Sequence, residues 1–411
     1  MNPLRTAPAP RGRAGLAVAL LGATLAFAEP GRLAPTADDP LPPAEFSARR
    51  AALTARAPGG VFLFDCEAVK PDDMDEIDRN GPRLHYHYLA GPELPGAVLA
   101  VMTGGRGSTL FFPPGEEARA GAAREAAGIE RTLPAARLEE FLRELPSAVL
   151  YVREPKGAFA QRVAAARPDL KIEPAGPAVS SLRAVKSERE LRLLRRATVD
   201  TVAGLRAAAR AVRPGALESE VQGAVEASFP GGRAFPSIVA SGPNAVVLHY
   251  HQNARRMETG DLVVCDVGAG RGGYGSDVAR TFPAGGKFTA DQRTAVETVV
   301  AAQKLAESAL RPGASLRDLD RAVRGFLAEK GCGRMPHALG HHVGLAVHDT
   351  IPLDEPFRPG MVVTIEPGIY LKEKNLGVRI EDIYLVTGSG FERWSESLPR
   401  EPGEIEAMVG R

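Results

Sequence analysis

Gly260-Asp261-Leu262-Val263-Val264-Cys265-Asp266-Val267-Gly268 is answered one hundred residues later by Gly360-Met361-Val362-Val363-Thr364-Ile365-Glu366-Pro367-Gly368. Each stretch is a short β-rich run of the kind that is buried, and each carries one carboxylate at the same place. A lone carboxylate in a protein interior is too costly to keep ionised, so such acids are paired, protonated or bound to a metal. A buried acid that occurs twice at matching positions predicts a site on an internal symmetry axis.

The echo extends in both directions. Arg213-Pro214-Gly215-Ala216 returns as Arg311-Pro312-Gly313-Ala314, Ala224-Val225 as Ala322-Val323, and Leu248-His249 as Val347-His348. A second acid follows each first one, Asp277 in Ser276-Asp277-Val278-Ala279-Arg280 and Glu381 in Arg379-Ile380-Glu381-Asp382-Ile383. Solenoid repeats have periods of roughly 20 to 50 residues, so this longer period reads as two helix-plus-strand units fused into one domain.

The chain has 411 residues, which predicts two domains rather than one core. Its 44% hydrophobic and 25% charged residues are ordinary for a globular protein. A formal net charge of +1 argues against a nucleic-acid or acidic-membrane partner. At the N-terminus, Arg5, Arg11 and Arg13 precede an apolar run over 14–28 that closes on Ala26-Phe27-Ala28. That run is short for a membrane span and fits a cleavable secretory signal over 1–28, giving a periplasmic or secreted protein. No cysteine ends the run, so no stable membrane anchor is expected. The three cysteines are Cys66, Cys265 and Cys332. Cys265 should face away from its neighbour Asp266 and into the core; the sequence leaves a Cys66–Cys332 pairing open.

After a flexible Pro-rich lead-in over 29–46, strand-like runs at 61–64, 97–102, 109–112 and 148–152 and a helical run at 138–145 predict a first α/β domain over 47–178. The duplicated domain takes 179–411. Its first helix opens at Ser187-Glu188-Arg189-Glu190, a capping-box pattern.

Asp266 and Asp277 flank the Gly-rich segment 268–273, which reads as a hairpin turn that brings the two carboxylates together. His337, His341, His342 and His348, four of the eight histidines, fall within twelve residues of a Gly-punctuated segment. With Glu366 and Glu381, the set holds four carboxylates and one or two imidazoles. Such an oxygen-rich set favours hard or borderline divalent ions, with Mn²⁺ ahead of Co²⁺ or Zn²⁺. Two such ions would neutralise the converging acids.

The motifs LRAVKSERELRLLRRA (182–197), SIVASGPNAVVLHY (237–250), CDVGAGRGGYGSDVARTF (265–282), HALGHHVGLAVHD (337–349), TIEPGIY (364–370) and GVRIED (377–382) resemble those of the pita-bread metallopeptidases, specifically the aminopeptidase P and prolidase group. The tail LPREPGEIE (398–406) is similar as well, so the resemblance covers most of 180–405. It implies an α+β fold: a pita-bread C-terminal catalytic domain with a pseudo-two-fold duplication, preceded by a smaller α/β creatinase/aminopeptidase P-like domain.

The resemblance also implies a dinuclear site. Asp266 would bind one metal, His341 and Glu366 the other, with Asp277 and Glu381 bridging. His249 and His348 would contact substrate, while His337, Arg379 and Tyr370 would support the site. The implied chemistry is attack on the first peptide bond by a hydroxide held between the ions, with Glu366 or Glu381 moving the proton. The implied substrates are peptides with an N-terminal Xaa-Pro, and the implied assemblies are a homodimer or homotetramer. Ala338 stands where the family usually has Gly and Ala346 where Asp is common; His85-Tyr86-His87-Tyr88-Leu89-Ala90-Gly91 matches the first domain's motif only loosely. Within the group, prolidase takes dipeptides alone. Creatinase-like relatives lack this ligand set and methionine aminopeptidases lack the front domain. A silent peptide-binding relative is the rival from another class.

Overall fold

The computed structural model describes residues 41–57, 59–67, 83–145 and 149–410. The basic stretch, the apolar run and the start of the lead-in lie outside these residues. A helix spans Pro43–Thr54, so residues 43–46, read as the end of the flexible lead-in, are helical. Proline begins a helix without wasting an amide. Phe46, Arg49, Arg50 and Leu53 then recur at helical spacing, and all four are buried.

The first lobe is built on a six-stranded sheet. In spatial order its strands are Arg131–Pro134, Ser108–Phe112, Val98–Met102, Val61–Asp65, Val149–Val152 and Lys171–Pro174. The central pairings, Val61–Asp65 with Val98–Met102 and that strand with Ser108–Phe112, are antiparallel; the outer pairings are parallel. Alternate residues feed two separate cores, Phe62 and Phe64 into one and Val61 and Leu63 into the other. Both faces of the sheet are therefore covered, as its near-continuous apolar strands require.

In the second lobe the helix Glu188–Ala211 starts as its sequence predicts. Ser187 Oγ accepts from the Glu190 amide at 3.3 Å, and Glu190 Oε2 accepts from the Ser187 amide at 2.8 Å. The duplication is present element by element. Helices Glu188–Ala211 and Glu218–Glu226 precede the antiparallel strands Leu262–Val267 and Val278–Pro283, while Ala290–Ala309 and Leu316–Glu329 precede Val362–Ile365 and Asp382–Val386. The repeated Arg-Pro-Gly-Ala links the helices in each half. Gly215 at φ 86° gives its amide to Met257 O, and Gly313 at φ 89° gives its amide to Phe357 O. Only glycine adopts that left-handed conformation without strain, which is why the tetrapeptide persists in both copies.

The halves are joined along their acidic strands. Thr281 Oγ1 donates to Arg379 O and accepts from the Arg379 amide, both at 3.0 Å, and the Glu381 amide donates to Ala279 O. Arg280, fully buried, reaches across to Asp382 at 2.7 Å and to the Glu381 and Leu398 carbonyls. No disulfide joins Cys66 to Cys332, and Cys265 is buried.

Candidate metal centre

The two halves present their acids in the same way. Asp266 lies one residue from the end of its strand, and Asp277 immediately precedes the partner strand. Between them a short ribbon, Gly270–Arg271 against Tyr274–Gly275, turns through Gly272 and Gly273, both at positive φ. Glu366 follows strand Val362–Ile365 and Glu381 precedes Asp382–Val386, with the hairpin Gly368–Leu371/Leu376–Arg379 between them. The predicted turn at 268–273 is thus a real hairpin, and its counterpart in the second half is longer.

His341 arrives on a loop docked against the strand that leads to Glu366. Its amide donates to Thr364 Oγ1 and its carbonyl accepts from the Thr364 amide. Gly340 permits this approach, because a Cβ there would lie 2.2 Å from Thr364 O. His341 Nδ1 lies 3.3 Å from the His342 carbonyl. A carbonyl only accepts, so the proton sits on Nδ1 and Nε2 presents its lone pair to the acids.

Three overlapping sets have donor atoms within 4.8 Å of one another: Asp266, Asp277 and Glu381; His341, Glu366 and Glu381; and Asp277, His341 and His348. All five expected ligands therefore converge. Asp266, Asp277 and Glu381 are 6%, 5% and 1% exposed, yet Asp266 Oδ1, Asp277 Oδ1 and both Glu381 oxygens find no hydrogen-bond partner among the described residues. Burial, then the Glu381, Asp266 and Glu366 carboxylates, drives Asp277 well above the usual carboxylate range. Burial and the neighbouring acids do the same to Glu381. Burial pushes Glu366 up to about 7, against the pull of Arg379. Burial and His348 hold His341 far below its ordinary value, as a neutral imidazole. Arg379 alone does not satisfy four clustered carboxylates beside a neutral imidazole, and the donor set fits two divalent ions.

Around this cluster, Tyr370 Oη accepts from Arg379 Nε at 2.8 Å and stands 2.9 Å from His337 Nε2. His337 Nδ1 gives its proton to Ala338 O, which leaves Nε2 to accept from Tyr370. Burial, aided by Arg379, lowers His337 to about 3, and burial raises Tyr370 to about 12. Arg379 also contacts Asp266 and reaches Leu248 O at 3.5 Å, which brings the loop bearing exposed His249 to the rim. The His348 ring centroid lies 4.1 Å from that of His341. His342 departs from its cluster: it is fully buried, its ring lies against Phe357, and neither ring nitrogen has a hydrogen-bond partner among the described residues.

The model of metallopeptidase family M24 matches residues 192–388, a span containing all five converging residues. Xaa-Pro aminopeptidase 1 of Streptomyces coelicolor is 30% identical over 89% of this chain and 87% of its own length. Xaa-Pro dipeptidase of Pyrococcus horikoshii is 33% identical over 79% of this chain and 94% of its own. The chain belongs to metallopeptidase family M24. The structure of Escherichia coli aminopeptidase P with the inhibitor Pro-Leu matches 90% of the chain and 98% of its own length, with 28% identity and a TM-score of 0.77. The pita-bread fold of this M24 peptidase follows from those likenesses. Ala338 and Ala346 leave the five-residue cluster of the M24 peptidase intact.

Sequence reasoning missed one buried group in this M24 domain. Asp349, directly after His348, pairs with Arg183 at 2.6 Å, and both side chains are 1% exposed. The signal available was an acid adjoining a site histidine, with basic residues at 183 and 186 far away in sequence.

Proposed function

We propose that this M24 peptidase is an exported Xaa-Pro aminopeptidase that removes the first residue from peptides with proline second. The observation that carries the reading is the complete set of four carboxylates and a neutral imidazole, in a chain that matches aminopeptidase P across both lobes. Asp266 and Asp277 would hold one ion and His341 and Glu366 the other, with Asp277 and Glu381 shared. When bound, two divalent ions, for which Mn²⁺ suits the oxygen-rich set, supply Lewis acidity toward a peptide carbonyl and toward water. Glu366 or Glu381 takes a proton from the attacking water and returns it to the departing amine. His348, beside His341, and His249, at the rim, hydrogen-bond the substrate carbonyl where negative charge develops. Tyr370 and His337 fix Arg379, which in turn holds Asp266 in place. The substrate's amino terminus is drawn to the acidic cluster, which restricts cleavage to the chain end.

The Xaa-Pro dipeptidase of P. horikoshii, 33% identical, favours prolidase as the second reading. Incubating the Mn²⁺-loaded protein with Gly-Pro and with a longer Xaa-Pro-Xaa peptide decides between them. Release of the first residue from the longer peptide supports the aminopeptidase; cleavage of Gly-Pro alone gives prolidase, and cleavage of neither defeats both. Export rests on the basic flank, the apolar run 14–28 and Ala26-Phe27-Ala28; a mature N-terminus at Glu29 would support it, and an intact N-terminus on cytoplasmic protein would defeat it. A homodimer or homotetramer is the assembly proposed, for which light scattering is the test.

A further inference from the structure

We propose that Asp349 is a positioning residue for His348, which it fixes by anchoring the His loop to the segment joining the two lobes. The inference rests on the reading of His348 as a substrate contact. Residues 341–350 form neither helix nor strand beyond the single bridge of His342 to Val363, so no ladder of backbone bonds sets the direction of the His348 side chain. Backbone bonds from the Val343 amide to Val362 O and from the Gly344 amide to Ala346 O tie the first part of the stretch; next to His348 itself stands a buried carboxylate. Asp349 Oδ1 meets Arg183 Nη2 at 2.6 Å and accepts from the Thr350 amide at 2.9 Å, while Oδ2 lies 3.8 Å from Lys186 Nζ. The Asp349 amide donates to His342 O at 2.9 Å and so closes the loop on itself. The loop wraps tightly: a Cβ on Gly344 would lie 2.3 Å from Asp349 Oδ2.

The anchor is rigid because its cations are themselves fixed. Arg183 ends the helix Gly176–Ala184, and its Nη1 donates to His85 Nδ1 of the first lobe at 3.0 Å. Burial keeps His85 neutral and able to accept that bond. Ser180 of the same helix bonds Thr350 Oγ1 at 2.8 Å, which gives the Asp349-Thr350 pair a second tie. On the opposite side the loop meets the acidic hairpin, where the Gly275 amide donates to Gly344 O at 3.2 Å. A charge buried between two cations leaves its peptide no freedom, since moving it would strand both partners. His348 shares that peptide and projects against His341. The first lobe thereby sets the orientation of a site histidine.

The test is a cycle of the metal-loaded full chain: D349N, H348A and both together, assayed for kcat/KM on an Xaa-Pro-Xaa peptide. Metal content by mass spectrometry and a thermal melt are recorded for each. D349N should lower kcat/KM roughly 10- to 100-fold, as removing the partner that orients a site histidine does, with bound metal unchanged. Added to H348A, the same change should cost less than about threefold, because the group it orients is gone. A full D349N penalty in the H348A background, lost metal in D349N, or wild-type kinetics in D349N overturns the proposal. Wild-type kinetics in H348A overturns the reading of His348 itself, a separate and recognisable outcome. If D349N does not accumulate as folded protein, R183K passes through the same cycle with the same expected and refuting results, because lysine retains the cation but loses the fork that also holds His85.

Discussion

Replacing Glu366 with Gln should stabilise the metal-free protein at alkaline pH and destabilise the metal-loaded one. In the metal-free fold the carboxyl is buried among other acids and moves from 4.5 to about 7. A carboxyl raised on folding contributes stability that is fully present below its unfolded value, near 4.5, and lost as pH climbs through about 7. A displacement of about 2.5 units, at about 1.36 kcal/mol each, makes the loss about 3 kcal/mol by pH 8. Gln cannot ionise, so E366Q escapes it. His85, His337, His341 and His342, all held neutral by burial, bend the pH curve the other way below about 6.5. They bend both proteins alike. Asp277 and Glu381 are raised by burial and in part by Glu366, and lose stability in the same direction. The difference between the two curves therefore reads Glu366 together with the relief its replacement gives those two acids.

Thermal melts of chelator-treated wild type and E366Q between pH 5 and 8 read this out. The E366Q melting temperature should gain on wild type as pH rises, by roughly 3 to 5 °C for a chain of this size. With Mn²⁺ in excess the order should reverse, since wild type then gains binding energy that the variant has lost. A difference that stays flat with pH, or an E366Q protein equally stabilised by Mn²⁺, would refute the idea that repulsion among buried acids is relieved by cations.

Three further outcomes are expected. Asp277→Asn and His341→Ala should each abolish turnover and reduce bound metal, measured by mass spectrometry, while circular dichroism stays native; metal content equal to wild type contradicts their placement as ligands. Arg280→Met removes the nearer cation from the fully buried Asp382 carboxylate, leaving Ser395 and the more distant Arg393, and should cost about 3 kcal/mol in chemical denaturation. Gly215→Ala and Gly313→Ala meet open space but occupy the left-handed region, so each should cost about 1 to 2 kcal/mol through backbone strain alone. Unequal losses would show that the two copies no longer carry equivalent turns.

The acids were legible because a hydrophobic strand that ends in a carboxylate breaks the pattern of its own burial, and here the break occurs twice. The capping box at Ser187 was legible because its partners lie three residues apart. Less could be read where structure depends on distant packing. Proline at 43 and the spacing of Phe46, Arg49, Arg50 and Leu53 suit a helix, but they did not place its start within the Pro-rich 29–46. Arg49 and Arg50 secure it by bonding the Tyr88 and Leu89 carbonyls 39 residues away. Among the clustered histidines, spacing alone did not separate His341 from His342. Adjacent residues on an extended stretch face opposite ways, so one of the two had to leave the site, but which one depends on the docking of the loop against Thr364.

The duplication explains why the site lies where it does. Each half supplies two strands with an acid at or next to the strand end, one on either side of a hairpin. Alone, either half would bury two like charges with no partner. The crossing of Arg280 to Asp382, and the reciprocal bonds of Thr281 and Arg379, hold the halves in one register. That register sets four carboxylates against one another at distances that favour protonation or a bound cation over free ionised acids. The strain is symmetric, but its relief is not. Arg379 of the second half leans on Asp266 of the first, whereas the position equivalent to Arg379 in the first half is Gly275, 104 residues earlier like Asp277 before Glu381. Gly275 has no side chain and instead ties its backbone to the histidine loop at Gly344. The imidazole enters from that side alone. If the cluster takes two ions as proposed, its halves would offer them unlike surroundings, one of carboxylates braced by a guanidinium and one completed by His341.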